Sequence, residues 1–315
     1  MITLESVEFH VPERVVTVAD RAQELGLSAE QIHMFGRVHG LDRMHYDPDV
    51  SLLDLMVPAA RAALGDTDPR SIRYVIYGHA MHGTADARAG IAGQVRQVLG
   101  LNGAQVISLT QQNCAISLSA IDVAGTLLRA GGDPLARALV VTGDKPVSPD
   151  AKLVMNSCIV ADGAAACLVA WNGTGVPVTS FATRTTGEHY RGMLTNAAGF
   201  RAAAAARPGA MAAAIEGALA GAGCTMDDIQ VIIPPNPNVV YWNDTITSDA
   251  VREKFFFDNI PRYSHALAAD VFINYVTLRD DKRLEPGRPL MFVAIGVGMT
   301  FSAMVLVPGA EQGKI

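Results

Sequence analysis

The sequence predicts an α/β protein in which buried strands alternate with helices. Short apolar runs bounded by glycine are typical of strands, and segments with apolar residues every three or four positions lie between them. Half of the 315 residues are hydrophobic, so the chain can bury a large core, and its length suggests two domains or halves. Because strand and helix candidates alternate, we expect largely parallel sheets covered by helices.

The individual elements follow from these patterns. The predicted strands are Arg73–Tyr77, Val106–Thr110, Ala138–Thr142, Ala164–Ala170, Gln230–Ile233, Leu290–Ile295 and Phe301–Val307. The predicted helices are Leu52–Leu64, Ala89–Leu99, Ala115–Ala130, Ala210–Gly221 and His265–Leu278. Similar elements recur in a similar order on either side of the glycine-rich turn Trp171–Gly175. We therefore predict an N-terminal half at 1–171 and a C-terminal half at 172–315.

Composition excludes several classes of partner. Charged residues make up 18% of the chain, the net charge is −6 and no basic run occurs, which argues against nucleic acid and against an anionic membrane surface. The first residues lack a charged segment followed by a long apolar one, and no run of 18 apolar residues occurs. We therefore expect no signal peptide, no membrane span and a cytoplasmic location.

The cysteine pattern favours chemistry at one position. Cys114, Cys158, Cys167 and Cys224 are widely spaced and form no C-x-x-C pair, which argues against a disulfide framework and a zinc site. Cys114 alone lies between a predicted strand and a predicted helix, where unpaired backbone N–H groups and the helix dipole lower a thiol's pKa. A buried structural cysteine is the alternative, and the local sequence does not decide between them.

Two other sequence patterns are weak indications of a binding site. His79 and His82 have a spacing that suits a metal, but no third ligand is evident, so we predict no metal site and place them in a loop near the active site. Gly296-Val-Gly298 lacks the third glycine of a dinucleotide-binding turn.

Several segments, taken in order, resemble one known family. They are Arg37–Arg43, Ala85–Gly103, Cys114 with its helix, Val140–Asp144, the turn Ala161-Asp-Gly-Ala-Ala-Ala-Cys-Leu-Val169, Leu284–Arg288 and Ile295–Phe301. Together they resemble the type III ketosynthases of the thiolase superfamily, which include the β-ketoacyl-acyl-carrier-protein synthase III enzymes. The resemblance implies a thiolase fold, a five-layered αβαβα arrangement of two similar halves, and a homodimer. It also implies that Cys114 is an acyl-accepting nucleophile.

The chain departs from the family at two catalytic positions. Pro235 occupies the position of the family's catalytic histidine, and His265 occupies that of its catalytic asparagine. Decarboxylating condensation needs two donors over the malonyl carbonyl, and losing one such donor typically costs roughly 3–4 kcal/mol of transition-state stabilisation. Proline can donate no hydrogen bond. Acyl transfer needs only a thiolate, an oxyanion hole and one base, so we predict an acyltransferase.

The resemblance assigns roles to the remaining parts. The backbone N–H groups of Cys114 and Gly298 would form the oxyanion hole. We expect Ser264 to cap a helix that His265 opens, where the helix dipole keeps the imidazole neutral and ready to act as base. Asn238 either shapes the pocket or forms a turn. Asp270 could orient a histidine, but five residues along the expected helix its side chain would point elsewhere, which argues against this role.

The donor is expected to be an acyl thioester, with no tightly bound cofactor. Arg37 resembles the family arginine that binds coenzyme A phosphates, but His33 replaces the tryptophan that stacks on the adenine. The resemblance therefore implies either a weak coenzyme A site or a donor carried on acyl carrier protein.

The segment Thr183–Pro208 is interpreted as a variable insertion, which in this family covers the acceptor pocket. A solvated surface loop and helix is the alternative.

Three functions remain open at this stage. The first is transfer of an acyl group to the hydroxyl, amine or other nucleophile of a small molecule, in specialised-metabolite biosynthesis. The second is carbon–carbon condensation with a Cys–His dyad. The third is a non-catalytic partner subunit of a heterodimeric synthase, although retention of Cys114 and its helix argues against an inert protein.

Overall fold

The structure is a computed structural model that describes residues 1–81 and 90–309. Within these ranges the side chains of residues 149 and 150 are not described. Residues 82–89 lie outside the described residues; they include His82 and the first part of the segment Ala85–Gly103.

The strands of the described chain are numbered in sequence order. They are β1 (Ile2–His10), β2 (Val15–Thr17), β3 (Arg43–His45), β4 (Ile72–Gly78), β5 (Gln105–Leu109), β6 (Arg137–Asp144), β7 (Leu153–Val154), β8 (Cys158–Ile159), β9 (Gly163–Trp171), β10 (Val176–Thr185), β11 (Ile232–Ile233), β12 (Leu290–Gly296) and β13 (Thr300–Leu306).

The α-helices are numbered in the same way. They are α1 (Ala22–Leu25), α2 (Ala29–His33), α3 (Leu52–Leu64), α4 (Ile91–Val98), α5 (Ile116–Gly131), α6 (Pro149–Lys152), α7 (Ala197–Ala222), α8 (Val239–Thr245), α9 (Asp249–Arg252), α10 (Ile260–Tyr263) and α11 (Asp270–Asp280). Short turns of 3-10 helix precede α5 at Asn113–Ala115 and α11 at Leu267–Ala269, and a π-helical turn spans Met34–Val38.

Nine strands form one sheet in the order β11-β12-β13-β10-β1-β9-β6-β4-β5. The two halves of the chain meet in this sheet where β1 pairs with β10 through two residue pairs, Thr3 with Pro177 and Leu4 with Val176. Strands before the predicted boundary lie on one side of this junction and strands after it on the other. The boundary itself remains a prediction, since β9 ends at Trp171 and β10 begins at Val176.

Helices occupy three layers around the two parts of the sheet. Helix α3 packs on β1, β6 and β9, whereas α7 packs on β10 and β13. Helices α5 and α11 lie between the two parts, because each contacts strands of both halves. The predicted α/β fold with five αβαβα layers is thereby confirmed.

Three details of the predicted secondary structure are wrong. Strands β1 and β10 were not predicted, because β1 carries Glu5 and Glu8 among its apolar residues and β10 contains Pro177. The sheet is mixed, since only β4–β5, β4–β6 and β11–β12 are parallel among its pairings. Helix α7 begins thirteen residues before the predicted Ala210, within the segment interpreted as an insertion.

One segment resembles a membrane span by composition. Asn113–Gly131, which contains α5, is the one helical stretch in the described part of the chain with the length and hydropathy to cross a bilayer. Because 61% of it is buried inside the fold and α5 packs on strands of both halves, its apolar surface is that of a core helix.

Candidate active site

Cys114 lies in a constrained loop between β5 and α5. It belongs to the 3-10 turn Asn113–Ala115, and its side chain is 8% exposed. Gln111 and Asn113 both have positive φ angles, 80° and 50°, in the left-handed region that non-glycine residues seldom adopt. Such conformations persist only where neighbours hold them, and they occur often at functional sites.

The turn between β12 and β13 holds this loop in place. The side-chain amide of Asn113 donates a hydrogen bond to the Val297 carbonyl at 2.8 Å. Gly296 lies so close to the loop that a Cβ atom there would be 2.0 Å from the carbonyl oxygen of Gln112. Glycine is therefore required at 296 for the backbone to approach the nucleophile loop.

His265 and Asp270 complete a chain of contacts from the sulfur. The Sγ atom of Cys114 is 3.5 Å from Nε2 of His265. The Nδ1 atom of His265 is 2.5 Å from a carboxylate oxygen of Asp270. Both side chains are buried, with Asp270 fully shielded and His265 4% exposed. This geometry is that of a nucleophile, a base and an orienting carboxylate.

The assignment of Asp270 from the sequence was wrong, because His265 does not open a helix. Ser264 ends α10 with φ 56° instead of capping a new helix, and the 3-10 turn that follows begins only at Leu267, whose φ is 55°. Helix α11 begins at Asp270 itself. The reversed chain between the two residues therefore turns the carboxylate back towards the imidazole.

Asp270 is fixed by backbone donors on both sides. One carboxylate oxygen accepts a hydrogen bond from the Ala266 N–H at 2.7 Å, and the other accepts one from the Asn236 N–H at 2.6 Å. Asn236 follows Pro235 directly, so the segment that resembles the family's histidine motif here supports the carboxylate. Asn274, one turn along α11, anchors the same segment by donating to the Pro234 carbonyl at 2.7 Å.

The pKa of the Cys114 thiol differs from the sequence-based expectation. Burial raises it, and the charges of Asp144 and Asp270 act in the same direction, whereas the charge and hydrogen bond of His265 lower it. The direction is therefore upward, opposite to the lowering expected at a helix terminus. His265 is the group that favours the thiolate here.

The pKa of His265 also departs from the expectation of a neutral ring. Burial lowers it, but the negative charges of Asp270 and Cys114 raise it to about 10. The Asp270 carboxylate therefore favours a protonated imidazole, whereas Cys114, whose own pKa is raised, adds to this effect only when its thiol is ionised.

The reacting groups open into a cavity of about 320 Å³. Its lining includes Cys114, His265 and Gly298, so the structure brings the predicted nucleophile, base and oxyanion-hole glycine together. Gly298 has φ 95°, within the region that favours glycine. The 3-10 turns and helix after β10 form another wall, as expected for a segment that covers the acceptor pocket. The wall residues from this segment are His189, Gly192, Thr195, Gly199, Phe200, Ala203, Ala204 and Arg207.

Asn238 and Arg37 are not brought into the cavity lining. Asn238 caps α8 by accepting a hydrogen bond from the Tyr241 N–H at 2.6 Å, and its amide donates to Ser157 at 2.8 Å. These bonds match the turn-forming alternative for Asn238. Arg37 is exposed in the π-helical turn, and His33 is exposed at the end of α2. A coenzyme A site at Arg37 stays a prediction.

Near the site, a loop after β4 is held by a buried carboxyl group. Asp144, at the end of β6, accepts hydrogen bonds from the N–H groups of Ala80 and Met81, and burial raises its pKa to about 6. His79 stacks on Tyr77, and its Nδ1 atom is 2.8 Å from the Met81 carbonyl oxygen. The described residues contain no group of three His, Cys, Asp or Glu side chains that could hold a metal.

Sequence reasoning missed three residues at this site. Asp270 was judged by helical spacing alone, and Asp144 was noted only as part of a family motif. Arg207 lines the cavity with its guanidinium 4.3 Å from the Tyr241 ring, but it lies in an alanine-rich segment without a motif. The signal available for Arg207 was that two arginines, Arg201 and Arg207, bracket a run of five alanines.

Residues 219–307 match the family model described as the C-terminal domain of 3-oxoacyl-[acyl-carrier-protein] synthase III. No curated protein sequence is similar enough to the chain to count as a match.

Solved structures of this class have the same fold over nearly the whole chain. ChlB3, described as an acyltransferase, has a TM-score of 0.85 at 20% identity and covers 98% of each chain. The 3-oxoacyl-[acyl-carrier-protein] synthase III of Aquifex aeolicus VF5 has a TM-score of 0.79 at 18% identity, over 98% of this chain and 100% of its own. Cerulenin-bound OleA of Xanthomonas campestris has a TM-score of 0.81 at 17% identity, over 97% and 96%. The chain thus has the fold of these solved structures, and its residues 219–307 are similar to the C-terminal domain of the synthase III family.

Proposed function

We propose that this protein is an acyltransferase that loads an acyl group from a thioester onto Cys114 and passes it to a nucleophilic hydroxyl or amine. The observation that supports this function best is the contact chain from Cys114 through His265 to Asp270. It supplies a nucleophile, a base and an orienting carboxylate, which are the groups that acyl transfer requires. ChlB3, a structural neighbour described as an acyltransferase, agrees with the proposal.

In the loading step, the Cys114 thiolate attacks the carbonyl carbon of the donor thioester. The tetrahedral oxyanion would be stabilised by the backbone N–H groups of Cys114 and Gly298. When the donor's carbon–sulfur bond breaks, the leaving thiolate takes the proton from the protonated His265. The products are an acyl-Cys114 thioester, the free donor thiol and a neutral imidazole.

In the transfer step, the neutral His265 removes the proton of the acceptor as the acceptor attacks the acyl carbon. The carboxylate of Asp270 holds the Nδ1 proton, so that Nε2 is the basic nitrogen facing the sulfur. Breakdown of the second tetrahedral intermediate breaks the bond to Cys114 and restores the thiolate beside a protonated His265. No oxidant, metal or cofactor enters either step.

Decarboxylation is the reaction that this arrangement supports least. A malonyl enolate needs two hydrogen-bond donors on its thioester oxygen, and Pro235 supplies none. The N–H of the neighbouring Asn236 is donated to Asp270. His265 alone remains from the two donor positions.

The proposal also covers the acyl donor and the oligomeric state of the protein. We expect the acyl group to arrive on acyl carrier protein or coenzyme A and to be used in specialised-metabolite biosynthesis in the cytoplasm. Strand β5 lies at one edge of the sheet with Gln105, Val106 and Ser108 exposed. An unpaired edge of this kind favours pairing with a second copy, which supports a homodimer.

Product analysis tests the reaction type. The protein is first acylated and then offered hydroxyl and amine acceptors or a malonyl thioester. Acyl transfer predicts an ester or amide whose mass equals that of the carboxylic acid plus that of the acceptor, less water. It also predicts that no carbon dioxide is released from the malonyl thioester. Release of carbon dioxide with formation of a β-keto product would instead establish carbon–carbon condensation.

A further inference from the structure

The cavity contains one permanent charge that the proposed reaction does not use. Arg207 lines the same cavity as Cys114, and no aspartate or glutamate is among the lining residues. Within the described residues Arg207 forms no ion pair, and its Nε atom is buried without a hydrogen-bond partner. A buried guanidinium nitrogen with no partner costs free energy that a bound anion would recover.

Tyr241 places this charge close to the reacting sulfur. The Arg207 guanidinium lies 4.3 Å from the centroid of the Tyr241 ring. Burial raises the pKa of Tyr241 to about 12; the charge of Arg207 and a hydrogen bond with its guanidinium lower it, and the charge of Cys114 raises it. Tyr241 is therefore near both groups, and all three side chains line one cavity of about 320 Å³.

Helix α7 holds Arg207 at this wall. Ala203 and Ala204, one turn before it, line the cavity with side chains too small to cover the guanidinium. Pro208 follows within the helix and has no N–H to donate to the Ala204 carbonyl. The planar guanidinium can bind a carboxylate through two parallel hydrogen bonds, which gives geometric selectivity as well as charge.

We propose that Arg207 is a specificity-determining residue that binds a carboxylate at the free end of the acyl group on Cys114. The preferred donors are then monothioesters of short dicarboxylic acids, since the cavity volume limits the chain between thioester and carboxylate. This inference rests on the proposed acyl transfer. The role of Arg207 is consistent with the lack of a hydrogen-bond donor at Pro235. Without that donor decarboxylation is disfavoured, so a malonyl group would keep the carboxylate that Arg207 binds.

Acylation rates with phosphate-free donors test the inference. The probes are malonyl and succinyl thioesters of N-acetylcysteamine, each compared with the same chain ending in a neutral amide. Because a hydrogen bond to a charged group is worth a factor of roughly 10 to 100, we expect the carboxylate donors to acylate Cys114 faster by about that ratio. Arg207→Leu should abolish the preference, and Arg207→Lys should retain part of it. Arg201→Leu, an exposed position on the same helix, is the matched control and should leave the ratio unchanged.

The outcomes separate this inference from the proposed function. Equal rates with both kinds of donor, or a preference that survives in Arg207→Leu, would overturn the role of Arg207 and leave acyl transfer intact. An Arg207→Leu defect seen only with coenzyme A thioesters, and equal for both acyl ends, would overturn it too, because Arg207 would then bind a donor phosphate. If no thioester acylates Cys114, the proposed function fails and this inference fails with it.

Discussion

Asp270 contacts the Nδ1 atom of His265 at 2.5 Å although only four residues separate them in the chain. In an α-helix, residues five apart point in different directions. The contact exists because Leu267, between them, has a positive φ angle and the helix begins only at Asp270. A local reversal of the backbone thus brings the carboxylate of Asp270 to the imidazole of His265, as the proposed role of His265 as base requires.

Asp270→Asn tests the role of that carboxylate. The amide keeps the size of the side chain but removes the charge that raises the pKa of His265 and fixes its tautomer. We expect acyl transfer to fall by roughly 10²- to 10⁴-fold. Transfer is measured as the single-turnover loss of the acyl group from Cys114. Asp280→Asn, exposed at the end of the same helix, is the control; an equal fall in both variants would assign Asp270 a purely structural role.

His265→Gln should separate loading from transfer. Without the imidazole, nothing in the contact chain can take a proton from the acceptor, so the acyl-Cys114 form should accumulate and turn over at least about 100-fold more slowly. Loading should slow as well, since His265 is the group that lowers the pKa of Cys114. Rapid-quench mass spectrometry follows both steps, and transfer at the unmodified rate would exclude His265 as the base.

The raised pKa of His265 predicts a pH-dependent stability. A histidine whose pKa is about 10 in the folded state and 6.5 when unfolded stabilises the fold fully below pH 6.5, and this contribution is lost as the pH rises through 10. The difference in free energy of unfolding between the wild type and His265→Gln should therefore shrink from pH 6.5 to 10. Exposed His33→Gln provides the control curve. A difference that grows with pH would have the wrong sign.

Gly296→Ala tests the contact that positions the nucleophile loop. A Cβ atom at 296 would overlap the Gln112 carbonyl oxygen at 2.0 Å, so the loop must move. We expect a loss of about 1–3 kcal/mol in the free energy of unfolding, with slower acylation of Cys114. Gly93→Ala in α4, where the added Cβ meets nothing within 4 Å, should be neutral or stabilising by up to about 1 kcal/mol. Chemical denaturation that gives equal stability for both variants would contradict this account of Gly296.

Asn238→Ala distinguishes a helix cap from a catalytic group. Removing the cap should cost about 0.5–2 kcal/mol of stability, while the rate of acyl transfer in the folded protein stays within a few-fold. Asn238→Asp keeps the oxygen that accepts from the Tyr241 N–H and should retain most of the stability. A loss of transfer by two or more orders of magnitude at full stability would place Asn238 in the catalytic machinery.

The sequence was sufficient to predict an α/β fold, its five layers through the family resemblance, and the place of Cys114 between a strand and a helix. Apolar patterns predict the strand and the helix on either side of Cys114, and the alternation of elements predicts the α/β class. His265 was found because its position resembles a catalytic one. These features depend on local periodicity or on a motif, both of which a single chain displays.

The features that were missed depend on backbone geometry and on distant contacts. The positive φ angles of Ser264 and Leu267 lie at residues with no preference for them, so a helix was expected where the chain reverses. The high pKa of His265 follows from two charges brought together by the fold. Arg207 lines the same cavity as Cys114 only because α7 packs on β10 and β13, far along the chain from α5.

Intact-mass spectrometry of the protein after incubation with acyl thioesters tests the central claim most directly. The wild type should gain the mass of one acyl group, and Cys114→Ala should gain none. His265→Gln should retain the acyl group after the wild type has passed it to an acceptor. A protein that no thioester acylates, or an adduct that persists in Cys114→Ala, would contradict the assignment of Cys114 as the acyl-carrying nucleophile.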